Sequence, residues 1–122
     1  MDIRTARIES LSNADLVHGF TEPIGAGQRQ AVAIGRVLAW GSKLIILDEP
    51  TAALGVQESR QVLEMIKRMR GDNRTIVLIT HNMDHVMEVA DRVIVLRRGR
   101  KVGELVVRSC KIADIVHLIV AG

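Results

Sequence analysis

Residues 44–50, Leu-Ile-Ile-Leu-Asp-Glu-Pro, constrain this chain more than any other stretch. Four apolar side chains in a row, with no polar alternation, suit a strand covered on both faces, the mark of a parallel sheet. Parallel neighbours need a crossover between them, usually a helix. The sequence supplies one: Val62, Leu63, Ile66 and Met69 fall on a single stripe over residues 56–70, and Gly71 is the expected stop. A second buried strand, Thr75-Ile76-Val77-Leu78-Ile79-Thr80, follows.

The rest of the chain continues this alternation. Residues 27–40 read as a helix with Val32, Val37 and Leu38 on its buried stripe, Gly35 inside it and Gly41 as its stop. A short helix is expected over residues 82–90 and a third strand over 92–96. Arg98-Gly99 reads as a turn, after which residues 101–107 pair back as a hairpin. Ile112, Ile115, Val116, Ile119 and Val120 mark a C-terminal amphipathic helix. At the other end, Ile8, Leu11 and Leu16 fit one face of a helix that Gly19 ends, and residues 20–27 form a loop broken by Pro23, Gly25 and Gly27. Strand, helix, strand, helix, strand is an α/β pattern with right-handed crossovers. Ligands of such sheets gather at the carboxyl ends of the strands.

Composition removes several classes of function. The 122 residues amount to one domain, and 48% apolar with 25% charged is too apolar for a disordered chain. Aromatic residues make up 2%, only Phe20 and Trp40, which argues against a single-strand nucleic-acid reader built on stacking rings. Cys110 stands alone, so an internal disulfide and a Cys-rich metal site are excluded. Met1-Asp2-Ile3-Arg4 opens no secretory apolar run, and no stretch approaches the roughly 20 apolar residues that span a bilayer. A cytoplasmic chain is expected.

The candidate chemistry lies just past the strands. Asp48 and Glu49 follow the first, Thr80 and His81 belong to the end of the second. A carboxylate buried at a strand mouth without a partner costs several kcal/mol, about the scale at which a cation becomes the explanation. Mg²⁺ fits, since it prefers oxygen ligands and often takes one carboxylate plus phosphate oxygens. Glu49 could then polarise an attacking water. The alternative is a pair of solvated loop acids. Ile24-Gly25-Ala26-Gly27-Gln28-Arg29-Gln30 leads small residues into a helix N-terminus, either a phosphate site or an ordinary tight turn. His81 and His85 have the four-residue spacing of a helical metal clamp, but Asn82 stands where the protease-type motif carries Glu. Arg97, Arg98, Arg100 and Lys101 flank the turn as a solvated tip or a contact for phosphate or acidic lipid. Met65, Met69, Met83 and Met87 read as core filler.

In this order, these pieces resemble the C-terminal half of an ABC-type ATPase, the nucleotide-binding subunit of an ABC transporter. Residues 24–28 align with the family's signature motif, residues 44–49 with its Walker B strand, residues 52–55 with its D-loop, and His81 with its switch histidine. Residues 39–43 and 51–56 look most like the ribose, xylose and fructose importers. The resemblance implies a partial P-loop NTPase fold: a mostly parallel sheet with flanking helices, lacking the Walker A strand and loop. Residues 1–40 would belong to the helical and signature region, and residues 41–122 to the core from Walker B onward. By the same resemblance Asp48 holds Mg²⁺, Glu49 is the catalytic base, and His81 touches the γ-phosphate of ATP. Gly25, Ala26, Gly27 and Gln28 face the γ-phosphate held by a second subunit. The implied partners are an N-terminal half or second ATPase subunit and the transmembrane permease of an importer, with no nucleic acid. The implied location is the inner face of the cell membrane.

The departures are specific. Gly25 stands where the family has Ser, Ala26 where it has Gly, and Gly55 where many relatives carry Asp. None of Lys43, Lys67, Lys101 and Lys111 follows Gly or precedes Ser or Thr, so no Gly-x-x-x-x-Gly-Lys-Ser/Thr cradle is present. That cradle grips the β- and γ-phosphates. ATP and Mg²⁺ are therefore expected only where another chain supplies the missing loop, and the chain alone is expected to be inactive. A non-enzymatic remnant or binding module is the alternative, with an ABC-type ATPase of DNA maintenance as a third reading. Loss of the Walker A strand is also expected to leave sheet edges without ladder partners.

Overall fold

The computed structural model describes residues 26–39 and 41–122. The expected N-terminal helix over residues 1–18, and Gly25 of the small-residue loop, lie outside them. The chain divides into two compact units, residues 1–80 and 81–122. Its four strands form two separate two-stranded sheets among the described residues, one in each unit.

The first unit is built on a parallel pair. Strand β1 (Leu44–Asp48) pairs with β2 (Thr75–Ile79) in the register Leu44 to Thr75 through Asp48 to Ile79. The Thr75 N–H donates to the Lys43 carbonyl at 2.8 Å below the ladder, and the Glu49 N–H to the Ile79 carbonyl at 2.8 Å above it. Helix α2 (Val56–Gly71) is the crossover, burying the expected stripe of Val62, Leu63, Ile66 and Met69. Fully burying each such side chain contributes about 1.5–3 kcal/mol. Helix α1 (Ala26–Ala39) packs on α2.

Several local expectations shift. Helix α1 begins one residue earlier than its sequence suggests, and it buries Ala33 and Ile34 while Val32 sits at the rim. The side chains of Val37 and Leu38 fall outside the described residues. Gly41 does take the left-handed conformation that stops α1, at φ 66°. Gly71 does not stop α2: the helix runs through it, and Asn73 turns the chain two residues later at φ 59°. Asn can do this because its short polar side chain tolerates the left-handed region. Strand β1 buries Ile45 and Leu47 and half-covers Leu44 and Ile46. Strand β2 departs from the two-sided burial its sequence predicts, with Val77 43% and Ile79 48% exposed. Among the described residues it has one ladder partner only, so cover is lacking where a third strand and its helices would supply it.

The second unit is antiparallel and local. Helix α3 (Met83–Val89) leads into the hairpin of β3 (Arg92–Arg97) and β4 (Arg100–Val106), followed by a short 3₁₀ turn and α4 (Ile112–Ala121). Arg98 and Gly99 both have positive φ, 50° and 75°, as a two-residue hairpin turn matched to strand twist requires. A bulge separates Val95 from Leu96. Val86, Val95, Val107 and Ile115 form the core, with Met83, Met87, Val93, Leu105 and Leu118 packed around it. Helix α4 comes close to β4 at Gly103, where an added Cβ would lie 2.6 Å from a Leu118 methyl. The Val107 N–H donates to the Asp91 carbonyl at 3.0 Å and closes the base of the hairpin.

Candidate functional site

The carboxyl end of β1 carries the candidate acids. Asp48 is its last residue and is exposed, while Glu49 is half-buried. The exposure corrects the expectation that a buried carboxylate here demands a cation. Water already solvates Asp48, so its suitability for Mg²⁺ rests on donor chemistry and position instead. Glu49 stands in the left-handed region at φ 46°. That conformation costs an L-residue about 1–2 kcal/mol. Two hydrogen bonds hold it: the Glu49 N–H on the Ile79 carbonyl, and the Ala52 N–H on the Glu49 carbonyl at 3.1 Å. The chain thus turns sharply at the strand end, with Pro50 buried behind it. The Leu54 N–H donates to the Thr51 carbonyl at 3.2 Å, and Ala53 takes φ 61°, so two non-glycine residues in this turn are left-handed. Strain gathered at a strand end beside acids is the pattern of a functional turn.

Two helix N-termini of this unit differ in charge. Helix α2 starts after Gly55, and its first turn carries Glu58, whose carboxylate lies 2.5 Å from where a Gly55 Cβ would stand. Its positive end is answered from within. Helix α1 has no acid in its first turn, which Ala26, Gly27 and Gln28 occupy. The backbone N–H groups and positive dipole end of such a first turn suit an external anion.

The candidate histidine belongs to the second unit. His81 is exposed, one residue beyond Thr80. Asn82 is the N-cap of α3, its side-chain oxygen accepting the His85 N–H at 3.1 Å. The His85 ring nitrogen also lies 3.3 Å from the Asn82 amide nitrogen, so the second histidine of the spacing serves the helix start. That cap is a signal the sequence carried and the metal-clamp spacing obscured. Among the described residues, no group of three His, Cys, Asp or Glu gathers for a metal. A lone exposed carboxylate with phosphate oxygens suits Mg²⁺, which keeps most of its waters. For the nucleotide the fit is partial. The α1 amides can meet a phosphate, but the described residues include no lysine-bearing cradle for the β- and γ-phosphates.

Comparison with known proteins follows the same line. No protein-family profile matches the chain. It is 59% identical over 80 residues to the fructose import ATP-binding protein of Rhizobium meliloti, covering 66% of this chain and 31% of that protein. To the xylose/arabinose import ATP-binding protein of Sulfolobus acidocaldarius it is 47% identical, over 65% of this chain and 32% of the relative. The ribose import ATP-binding protein of Yersinia pestis is 38% identical over 88% of this chain and 20% of its own length. The chain therefore spans about a third or less of these relatives. In shape it is similar to a metal-chelate-type ABC transporter in an inward-facing conformation, with a TM-score of 0.70 at 29% identity over 79% of this chain and 39% of that one. A nucleotide-free ATP-binding cassette gives a TM-score of 0.62 at 26% identity over 66% of this chain and 32% of that one.

Proposed function

We propose that the chain, a member of the ABC-type ATPases, belongs to the branch of the sugar importers and is the C-terminal portion of an importer's ATP-binding subunit. The observation that carries this is the acid pair at the end of β1: an exposed Asp48 and a Glu49 fixed in a left-handed turn by the neighbouring strand. Residues 1–40 are assigned to the helical and signature region, and residues 41–122 to the core from Walker B onward.

Bound Mg²⁺ and ATP would supply an activated γ-phosphoryl group. Asp48 is the residue that would hold the cation. Glu49 orients a water and takes its proton, a contribution that a positioned carboxylate makes at about 10²–10⁴-fold in rate. By the family resemblance His81 is assigned as a hydrogen-bond donor to the γ-phosphate. Gly25, Ala26, Gly27 and Gln28 are assigned, by the family resemblance, to a phosphate held by a second subunit. These 122 residues carry no phosphate cradle, so turnover would draw on one from outside them, in an N-terminal half or a second ATPase subunit. Work with a permease would place the assembly at the inner face of the membrane. No described helix is long and apolar enough to cross one.

A separately made N-terminal half is expected to restore Mg²⁺-dependent ATP hydrolysis on mixing, and Glu49→Gln to abolish it. The chain alone should give no heat on titration with ATP and Mg²⁺. Gly25 and Ala26, which depart from the family's signature, favour a second reading, a non-enzymatic binding module. Well-folded halves that associate without hydrolysing ATP would establish that reading and overturn the first.

A further inference from the structure

Helix α4 has two apolar faces and uses one. Ile115 is buried and Leu118 packs against the hairpin core. Ile112, Val116, Ile119 and Val120 form a second stripe, and these four are 37%, 43%, 44% and 70% exposed. At about 1.5 Å per residue the stripe is roughly 12 Å long. Both of its ends carry cations. The Arg97 guanidinium donates to the carbonyls of Val120, at 3.3 Å, and Gly122, which fixes the hairpin tip beside the end of the helix. That tip presents Arg98 and Arg100, exposed and without carboxylate partners among the described residues, with Leu96 71% exposed alongside. Arg108 and Lys111, also exposed, stand at the other end. The one acid on α4, Asp114, is engaged by the Lys111 N–H at 2.7 Å.

We propose that this face of the second unit docks on an anionic lipid surface, with the outer stripe of α4 at the acyl boundary and Arg98 and Arg100 on the headgroups. An apolar helical stripe with cations at its ends matches the chemistry of an interface between negative headgroups and hydrocarbon. The stripe meets the hydrocarbon and the cations meet the charge. A second copy of the chain would cover the stripe but bring the same uncompensated cations with it, so charge complementarity selects the lipid. The assignment is independent of the ATPase reading, since no residue of the candidate site takes part.

The experiment is co-sedimentation of the full 122-residue chain with vesicles of phosphatidylcholine alone and with added phosphatidylglycerol. Binding is expected only where phosphatidylglycerol is present, falling as salt is raised. Arg98→Gln with Arg100→Gln should weaken it about 25-fold, roughly fivefold for each cation. Val116→Ser with Ile119→Ser should weaken it as well, with hydrogen-exchange protection of β3 and β4 retained because Ile115 stays in place. Equal binding to both vesicles, no binding, or indifference to either pair of substitutions overturns the proposal. So does a lipid-free dimer abolished by Val116→Ser with Ile119→Ser in a chain that ignores vesicles.

Discussion

The two units solve the same problem of covering a two-stranded sheet in opposite ways. The second unit is closed by neighbours in sequence: the hairpin turn joins β3 to β4, and α4 folds back on their inner face. The first joins β1 and β2 through a sixteen-residue helix and leaves Val77 and Ile79 substantially open. An isolated two-stranded sheet is marginal unless a helix covers it. Both units have that helix, but only the antiparallel one ties its ends together. The candidate acids belong to the unit with the poorer cover. Under the proposed function the strand mouth admits phosphate and water and so is not sealed by its own chain, whereas a hairpin without that task can be.

Core truncation gives the largest effects and tests whether the units are stabilised separately. Ile115 is the only fully buried residue of α4, and Ile66 holds the corresponding place in α2. Each change to Ala should cost about 2–5 kcal/mol through lost transfer energy and a cavity. Hydrogen exchange should show Ile115→Ala lowering protection in β3 and β4, and Ile66→Ala lowering it in β1 and β2. Equal loss in all four strands from either substitution would break the comparison.

Two glycines sharpen it at a smaller scale. Gly103 admits α4 against β4, so Gly103→Ala pushes a methyl into Leu118 and should destabilise by about 1–3 kcal/mol. Gly35 lies inside α1 with nothing within 4 Å of an added Cβ. Gly35→Ala should therefore stabilise by roughly 0.5–1 kcal/mol through helix propensity. Denaturation midpoints moving in opposite directions would confirm that the second unit is tightly packed at its helix and the first loosely packed at α1.

How far the sequence revealed this depends on whether the determining contacts are local. The stripe Val62, Leu63, Ile66 and Met69 was legible because helical period alone places it. The Arg98-Gly99 turn was legible because two residues between paired strands require positive φ. The exposure of β2 was not, because apolar residues look alike whether or not a neighbour arrives to cover them. Nor was the outer stripe of α4: Ile112 and Val116 mark the helix as well as Ile115 does, yet only Ile115 meets the core. Asn73 replaced Gly71 at the end of α2 because two residue types can take the left-handed turn, and spacing cannot choose between them. At the candidate site the acids were legible as residues, but the left-handed backbone at Glu49 depends on a carbonyl of the next strand, thirty positions on.

The smallest expected effect concerns how the second unit treats charge on its outer face. Glu104 receives Lys101 from its own strand and Arg92 from β3, the latter at 3.0 Å. The Lys101 hydrogen bond, the largest influence, holds the Glu104 carboxyl below the usual carboxylate range; desolvation, next in size, opposes it, and the Arg92 charge adds to the lowering. A carboxyl depressed by folding favours the folded state above its unfolded titration range. That contribution fades as pH falls through the lower, folded value. Because all three groups face water, the effect should be small and weakened by salt. Glu104→Gln should leave the chain slightly less stable than the parent at neutral pH, with the two converging in acid. A constant gap across that range would mean that Glu104 acts by packing between Arg92 and Lys101, and that the hairpin is held together without help from its surface charges.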